Sequence, residues 1–155
     1  MHIKSGSTYD SNLEFFAQQH LVSLGYEIIA RDKTLPGKPD VVLQKERVAV
    51  LVHGCFFHAH DTACRDTHLP VNRRAFWEKK FARTKERDRL AIEALQALGY
   101  RVAVVWGCAL RHAPAAYLRA AMKSFIEGDL PFQEFDNFNV TWLFSAASRK
   151  GSAAK

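Results

Sequence analysis

Residues 48–64 read VAVLVHGCFFHAHDTAC, and the architecture of the chain can be worked out from this stretch. Its first five residues are all apolar, so a strand formed here has no polar face to turn toward water. The residues after it include three histidines and two of the three cysteines in the chain, a mixture more typical of metal ligands than of a core. The sequence therefore predicts a central strand, covered on both faces, that delivers a Cys/His loop to the sheet's edge.

The segments around this stretch alternate between helical and strand patterns. The predicted elements are a helix from Ser11 to Leu24, strands over 26–30, 41–44 and 47–52, a helix over 73–98, a strand over 101–106, and a helix between Pro114 and Gly128. We expect residues 1–10 to form a flexible N-terminal arm, residues 11–145 one domain, and residues 146–155 a disordered basic tail. The prediction is an α/β fold, with a mixed sheet flanked by helices.

Composition narrows the class of protein. A chain of 155 residues that is 48% hydrophobic is large enough to bury a core. Lys and Arg outnumber Asp and Glu by 22 to 16, and the excess is concentrated between Arg73 and Arg89. Such a patch favours a polyanionic partner, although a solvated helix face is the plainer alternative. With no signal-peptide segment and no apolar run long enough for a bilayer, we expect a soluble cytoplasmic protein without a membrane partner.

A structural zinc site is the first candidate constellation. The candidate ligands are Cys55, His60, Cys64 and Cys108. One imidazole and three thiolates form a closed zinc set. Cys108 follows one predicted strand as Cys55 follows another, so a parallel pairing of the two strands would bring both cysteines to the same edge. His58 and His68 remain alternative imidazole ligands, and three unrelated buried cysteines remain the alternative to any site.

The second candidate constellation comprises Glu14, Asp40, His53 and His58. Asp40 follows a proline at the start of a strand, about a dozen residues before the next strand ends, as in restriction-endonuclease-like folds that hold Mg²⁺ against a phosphodiester. An imidazole near its pKa can take up or release a proton there. Each residue also has a structural alternative: Glu14 completes a capping-box spacing with Ser11, Asp40 is a turn carboxylate, and single histidines are commonly packed or solvated.

Several motifs together resemble one known family. They are LPGKPD at 35–40, HGCFFH at 53–58, FWxxK at 76–80, ERDR at 86–89, LGYRV at 98–102 and VWxCAL at 105–110. In order and spacing, residues 11–125 are similar to the very-short-patch repair (Vsr) endonucleases. The resemblance implies a zinc-stabilised variant of the restriction-endonuclease-like fold. It also implies an enzyme that uses Mg²⁺ to nick one DNA strand beside a T:G mismatch.

The resemblance assigns roles to the second constellation. Asp40 would be the Mg²⁺ carboxylate, with the backbone carbonyl of Val52 as a second ligand. His58 would be the general base or acid, and His53 a contact to the phosphate and the transition state. Glu14 would orient the histidine chemistry. The same resemblance makes Cys55, His60, Cys64 and Cys108 the zinc ligands.

The resemblance also implies a DNA-binding surface. Phe56, Phe57 and Trp77 match aromatic residues that wedge into the base stack, and a mismatched step is easier to open than a paired one. The expected phosphate contacts are Arg73, Arg74, Lys79, Lys80, Arg83, Lys85, Arg87 and Arg89. The implied partner is mismatched double-stranded DNA, with mismatch-repair or methyltransferase-associated proteins as further partners. We expect a monomer that works on bacterial nucleoid DNA.

The sequence departs from the family pattern at five places. The N-terminal segment is reduced to residues 1–10, Phe57 replaces a tryptophan, the gap between His60 and Cys64 is longer, Thr84 replaces an asparagine, and Gly107 replaces a glutamate. The resemblance therefore supports zinc binding and cleavage chemistry more strongly than it supports mismatch specificity. The alternatives are a Vsr-like nuclease that cuts other DNA in restriction, defence or homing, and a non-catalytic zinc-containing DNA-binding module.

Overall fold

The apolar run forms β3, the middle strand of a five-stranded mixed sheet with the order β1-β2-β3-β4-β5. The structure is a computed structural model that describes residues 3–60, 64–67 and 70–153. The strands are β1 (Ile29–Ala30), β2 (Val41–Leu43), β3 (Val48–His53), β4 (Arg101–Trp106) and β5 (Phe132–Phe135). The helices are α1 (Ile3–Ser23), α2 (Arg74–Ala97), α3 (Gly107–His112), α4 (Ala115–Glu127) and α5 (Val140–Ala153).

Strand direction changes across the sheet at β3. β3 pairs antiparallel with β2 and parallel with β4, in a register that runs from Val48 opposite Arg101 to His53 opposite Trp106. β4 is also parallel to β5. Parallel strands end at the same edge of a sheet. The loop after β3 and the start of α3 after β4 therefore lie side by side, as the sequence predicted.

Helices cover both faces of the sheet, as predicted for a doubly covered central strand. Val48 and Val50 pack into a core shared with α1, α4 and α5. Ala49 and Leu51 point the other way, into a core shared with α2. These four side chains are at most 5% exposed, and burying a Val or Leu contributes roughly 1.5–3 kcal/mol. Within the described ranges, no helix is both long and apolar enough to cross a bilayer.

Two terminal predictions need correction. Helix α1 begins at Ile3 rather than at Ser11, so most of the predicted arm at residues 1–10 is helical. Residues 3–10 contain no proline, and extending a helix is easier than starting one. The capping box expected from Ser11 and Glu14 is wrong, because both residues lie inside the helix. At the other end, α5 continues to Ala153 through residues placed in the disordered tail, several of them good helix formers.

Two further corrections concern the second half of the chain. Residues 132–135 follow the last predicted element, in a stretch whose sequence shows no regular pattern, but they form β5, paired with β4. Helix α2 matches its predicted bounds within a residue at each end. The sequence pattern placed Phe81, Leu90, Leu95 and Leu98 on its buried side. Phe81 and Leu95 are buried as expected, whereas Leu90 and Leu98 are about half exposed.

Candidate active site and metal centre

The loop after β3 is coiled by its own backbone hydrogen bonds. The amide of His58 donates to the carbonyl of Gly54 at 3.1 Å, and the amide of His60 donates to the carbonyl of Cys55 at 2.9 Å. The hydroxyl of Thr67 donates to the same Cys55 carbonyl at 3.2 Å. These bonds place the cysteine and His60 on the inner side of the coil and direct His58 toward helix α2.

The four predicted zinc ligands converge. Cys55, His60, Cys64 and Cys108 are all buried, and each offers one ligand atom within 4.8 Å of the others. The cysteines are free thiols. Tetrahedral zinc with Zn–S bonds of about 2.3 Å needs sulfur atoms roughly 3.8 Å apart, so the donor set suits such an ion. That the ion is zinc remains a prediction.

The alternative imidazole ligands can now be placed. His58 contacts Asp88 rather than the sulfur atoms. His68 lies outside the described residues. Among the described histidines, the cluster therefore takes its imidazole from His60.

Hydrogen bonds set the charge of the cysteine cluster. The amide of Cys108 donates to Sγ of Cys55 at 3.2 Å, and the amide of Asn137 donates to Sγ of Cys108 at 3.4 Å. A hydrogen bond from the Cys55 thiol lowers the pKa of Cys108 to about 4. The same bond raises the pKa of Cys55. The bond therefore favours ionisation of Cys108, and a thiolate is the form in which cysteine binds a metal.

A second cluster lies beside the first, at the end of β3. The rings of His53 and His58 stack at 4.0 Å between centroids with an interplanar angle of 1°. Asp88 of α2 contacts both, with Oδ2 at 2.7 Å from Nδ1 of His58 and Oδ1 at 4.0 Å from Nε2 of His53. Trp106 meets His53 edge-on at 5.2 Å. The two predicted histidines therefore share one carboxylate.

The sequence reasoning missed Asp88, which it counted only as an acid within the basic helix. A usable signal was present. Phe81, Asp88, Ile92 and Leu95 follow one another at intervals of seven, four and three residues, which places them on one face of a helix. Phe81 and Leu95 are buried on that face. A carboxylate within such a stripe needs a partner, and the histidines provide it.

The proton positions in this cluster follow from its charges. Burial lowers the pKa of His53 to about 3, with His58 adding to the effect, so His53 is neutral. Burial alone would raise the pKa of Asp88, but the hydrogen bond from His58 and the electrostatic environment of the site, which includes Arg87, outweigh burial and lower it. A carboxylate only accepts, so Nδ1 of His58 carries the proton that it donates. Nε2 of His58 is then free for proton transfer.

The predicted carboxylates lie next to this cluster. The amide of Val52 donates to Oδ2 of Asp40 at 2.6 Å. Burial raises the pKa of Asp40 to about 7; the hydrogen bond from the Val52 amide opposes this rise, and the nearby Glu14 adds to it. Oε2 of Glu14 also accepts a hydrogen bond from Nε of Arg31 at 3.0 Å. Two carboxylates in such proximity favour a bound cation.

One cavity of about 660 Å³ connects these groups. Its lining includes all four predicted catalytic side chains together with Asp88. Glu14 does not contact His58 in the described hydrogen bonds; its carboxylate meets Arg31 and Asp40 instead. Among the described contacts, Asp88 is the carboxylate that meets both histidines, and the orienting role expected of Glu14 stays a prediction.

The predicted aromatic wedge forms a connected cluster beside this cavity. Phe56 lies at its centre, with ring centroids 5.1 Å from Phe57, 5.3 Å from Trp77 and 5.5 Å from Phe81. Phe57 and Phe76 are the most exposed members, at 42% and 40%. The exposed rings can meet a stacked surface while Phe56 supports them from below.

The predicted basic residues of α2 divide into two groups. Arg74 pairs with Glu78, and Arg89 pairs with Glu86 and Glu93, all within the same helix. Among the described residues, no carboxylate forms an ion pair with the remaining members of the set; these are Arg73, Lys79, Lys80, Arg83, Lys85 and Arg87. The cations of this second group are therefore more available to an anionic partner than Arg74 and Arg89 are.

Comparison with known proteins defines the class. The family model described as DNA mismatch endonuclease Vsr matches residues 1–64. The DNA mismatch endonuclease Vsr of Escherichia coli is 38% identical over 110 residues, which are 71% of this chain and 69% of that protein. The type II nicking enzyme V.XorIIP of Xanthomonas oryzae is 40% identical over 107 residues, 69% of this chain and 76% of that enzyme. The class is therefore that of the endodeoxyribonucleases.

The particular family follows from the same matches. The type II nicking enzyme V.NmeAIP of Neisseria meningitidis adds a third relative, 35% identical over 99 residues, 64% of this chain and 69% of that enzyme. The chain belongs to the Vsr family of DNA mismatch endonucleases. The resemblance inferred from the sequence motifs is confirmed.

Proposed function

We propose that the chain uses Mg²⁺ and water to hydrolyse one phosphodiester bond of double-stranded DNA beside a T:G mismatch, as in very-short-patch repair. The observation that carries the proposal is the shared cavity in which Asp40 lies with His53 and His58. The printed names of the relatives, a mismatch endonuclease and nicking enzymes, support DNA as the substrate and cleavage of one strand.

Asp40 is the proposed Mg²⁺ ligand, with the backbone carbonyl of Val52 as the second ligand from the protein. Mg²⁺ prefers oxygen ligands and keeps several waters, so few protein ligands suffice. When bound, the ion supplies positive charge to phosphate oxygens and lowers the pKa of its water. Glu14 contributes a second negative charge next to Asp40. We therefore assign Glu14 to the cation side of the cavity.

His58 is the proposed general base or acid. Its Nδ1–H is held by Asp88 at 2.7 Å, which leaves Nε2 to exchange a proton with water or the leaving oxygen. Asp88 does not reach the reacting atoms and is a positioning residue. The neutral ring of His53 stacks on His58 and restricts its rotation. His53 also faces the cavity, where it contacts the substrate phosphate.

The surface around the cavity suits duplex DNA. Phe57 and Trp77 are the proposed wedge beside the mismatch, with Phe56 as their support. Unstacking a step costs a few kcal/mol, and less at a mismatch. The unpaired cations of α2 hold phosphates and set affinity and salt dependence. Lys85 lies close enough to line a neighbouring cavity with His58.

Zinc is the proposed ion of the cysteine cluster, where it holds the loop that carries His58 in place. We further propose the restriction-endonuclease-like arrangement for the sheet and its helices. The proposed setting is a monomer acting on nucleoid DNA in the bacterial cytoplasm, with mismatch-repair or methyltransferase-associated proteins as recruiting partners. The named relatives come from bacteria.

The test compares labelled duplexes that differ at one base pair. The wild-type chain is incubated with Mg²⁺ and T:G, T:A or single-stranded oligonucleotides, and the products are resolved on denaturing gels. We expect one nick in the T:G duplex only. Asp40→Ala and His58→Ala should abolish nicking while DNA binding and zinc content stay near wild type, and the exposed Asp129→Ala serves as the control.

Three outcomes would change the assignment. Equal cleavage of T:A and T:G duplexes would leave a Vsr-like nuclease without mismatch specificity. Nicking by Asp40→Ala at the wild-type rate would rule out the proposed site. Binding of DNA without cleavage under all metal conditions would favour the non-catalytic DNA-binding module.

A further inference from the structure

The imidazole of His60 is held from three directions. Its Nδ1 faces Sγ of Cys108 at 3.6 Å. Its Nε2 faces Oδ2 of Asp136 at 3.4 Å. The ring stacks on Trp106 at 4.1 Å with an interplanar angle of 15°. Of the two ring nitrogens, Nδ1 is therefore the one directed at the cysteine cluster, and Nε2 is directed at a carboxylate.

Asp136 is itself fixed by the turn between β5 and α5. Its Oδ1 accepts hydrogen bonds from the amides of Phe138 at 2.8 Å and Asn139 at 2.7 Å. Its own amide donates to Oδ1 of Asn139 at 2.9 Å. These bonds occupy one carboxylate oxygen and the backbone, and they leave Oδ2 directed at His60. The turn thus presents a carboxylate at a defined place.

The next residue also contacts the cluster. The amide of Asn137 donates to Sγ of Cys108, so two consecutive residues of this turn meet two of the four candidate ligands. Metal-bound histidines commonly donate their second N–H to a carboxylate, which fixes the tautomer and the orientation of the ring. An amide donated to a thiolate likewise stabilises its charge. Both contacts are of the kind that supports a metal centre from outside its ligand sphere.

We propose that Asp136 is a positioning residue of the metal centre. Its carboxylate accepts Nε2–H of His60 and so keeps Nδ1 unprotonated for the metal, while the Asn137 amide supports the Cys108 thiolate. The proposal rests on the proposed zinc site. It makes the β5–α5 turn a part of that site, although the turn contributes none of the ligands.

The variant Asp136→Asn separates this role from a purely structural one. The amide oxygen of asparagine can still accept the two backbone N–H groups of the turn. Its NH₂ group would then face Nε2–H of His60, where two donors oppose each other. Asp32→Asn is the matched control, because Asp32 accepts similar bonds from the amide and hydroxyl of Thr34 in an exposed turn outside the cluster.

Two measurements on the full-length, metal-loaded chain test the proposal. The first is zinc affinity by competition with a chromogenic chelator, and the second is the absorption spectrum of the Co²⁺-substituted protein. Removing an outer carboxylate typically lowers metal affinity 10- to 100-fold. We expect Asp136→Asn to show a loss of about that size, with altered Co²⁺ bands. Asp32→Asn should match wild type in both measurements.

The outcomes separate this proposal from the zinc assignment. Wild-type zinc affinity and Co²⁺ bands in Asp136→Asn would overturn the positioning role while leaving the zinc site intact. A lower melting temperature with unchanged affinity and bands would also overturn it, since that result describes a structural turn. If the wild-type chain takes up no zinc, the zinc assignment itself fails and the positioning role fails with it.

Discussion

Replacing Asp88 by asparagine tests the histidine chemistry most directly. The substitution removes a negative charge 2.7 Å from Nδ1 of His58. The two side chains are 19% and 21% exposed, so water screens the contact only in part. A hydrogen bond to a charged group contributes about 1.5–3 kcal/mol. Because the bond strengthens as His58 gains charge in the transition state, and each 1.36 kcal/mol changes a rate tenfold, we expect kcat to fall roughly 10- to 150-fold.

The assay is single-turnover nicking of a T:G duplex at saturating Mg²⁺, with DNA affinity measured separately. DNA affinity should change little, because the carboxylate of Asp88 is only 19% exposed and is engaged with the two histidines. Glu86→Gln is the matched control, since Glu86 lies on the same helix in an exposed pair with Arg89. A double-mutant cycle on the residual single-turnover rate of His58→Ala adds a stricter criterion, because a residue that acts through His58 has no further effect on that rate. Equal rates for the double variant and for His58→Ala alone support the role of Asp88 as a partner of His58. A wild-type rate in Asp88→Asn would refute that role.

Three further predictions concern stability. In the folded protein the pKa of Asp40 is about 7, above its ordinary value of 3.8, so the folded state binds this proton more tightly than the unfolded state does. Without Mg²⁺, the free energy of unfolding should therefore fall as pH rises from about 4 to 7. Asp40→Asn should remove that component, which urea unfolding at pH 5 and pH 8 will measure; an unchanged pH dependence would contradict it. Cys108→Ser should lower zinc stoichiometry and melting temperature together, because structural zinc contributes folding free energy, and a fully loaded variant would exclude Cys108 as a ligand. Gly37→Ala should destabilise the fold by about 1–3 kcal/mol in urea unfolding. Gly37 has φ +71°, and an added Cβ would lie 2.6 Å from Cβ of Ala91. Wild-type stability would show that the loop rearranges without cost.

The parts of the fold that local sequence determines were predicted well. β4 begins and ends at the predicted residues, because the continuous apolar run at 102–106, bounded by Arg101 and Gly107, is typical of a buried strand. The contact between Cys55 and Cys108 was also predictable. Each cysteine directly follows an apolar strand, and two such strands, both covered on two faces, can lie next to each other in the sheet. Matching the ends of parallel strands was enough to bring residues 53 positions apart into contact.

The parts that depend on distant partners were not predicted. β5 has two polar residues among its four and becomes a strand because the edge of β4 is available to pair with it. Asp88 looks like any acid of a charged helix until the histidines of another element are placed beside it. Asp136 gains its contact with His60 only when β5 is in the sheet. In each case the deciding interaction is tertiary; only for Asp88 does the local sequence carry a signal, its position on the buried face of α2.

The parallel pairing of β3 with β4 also has a consequence for biosynthesis. A chain made from its N-terminus completes Asp40, His53 and His58 well before Arg101–Trp106, the strand that pairs with β3. Until that strand emerges, the central strand lacks one of its neighbours and the cysteine cluster lacks Cys108. A nascent chain of that length thus contains the site residues of the first half but lacks the strand and the cysteine that hold them in place. Assembly of the DNA-cutting site therefore waits for the residues of β4, which lie in the second half of the sequence.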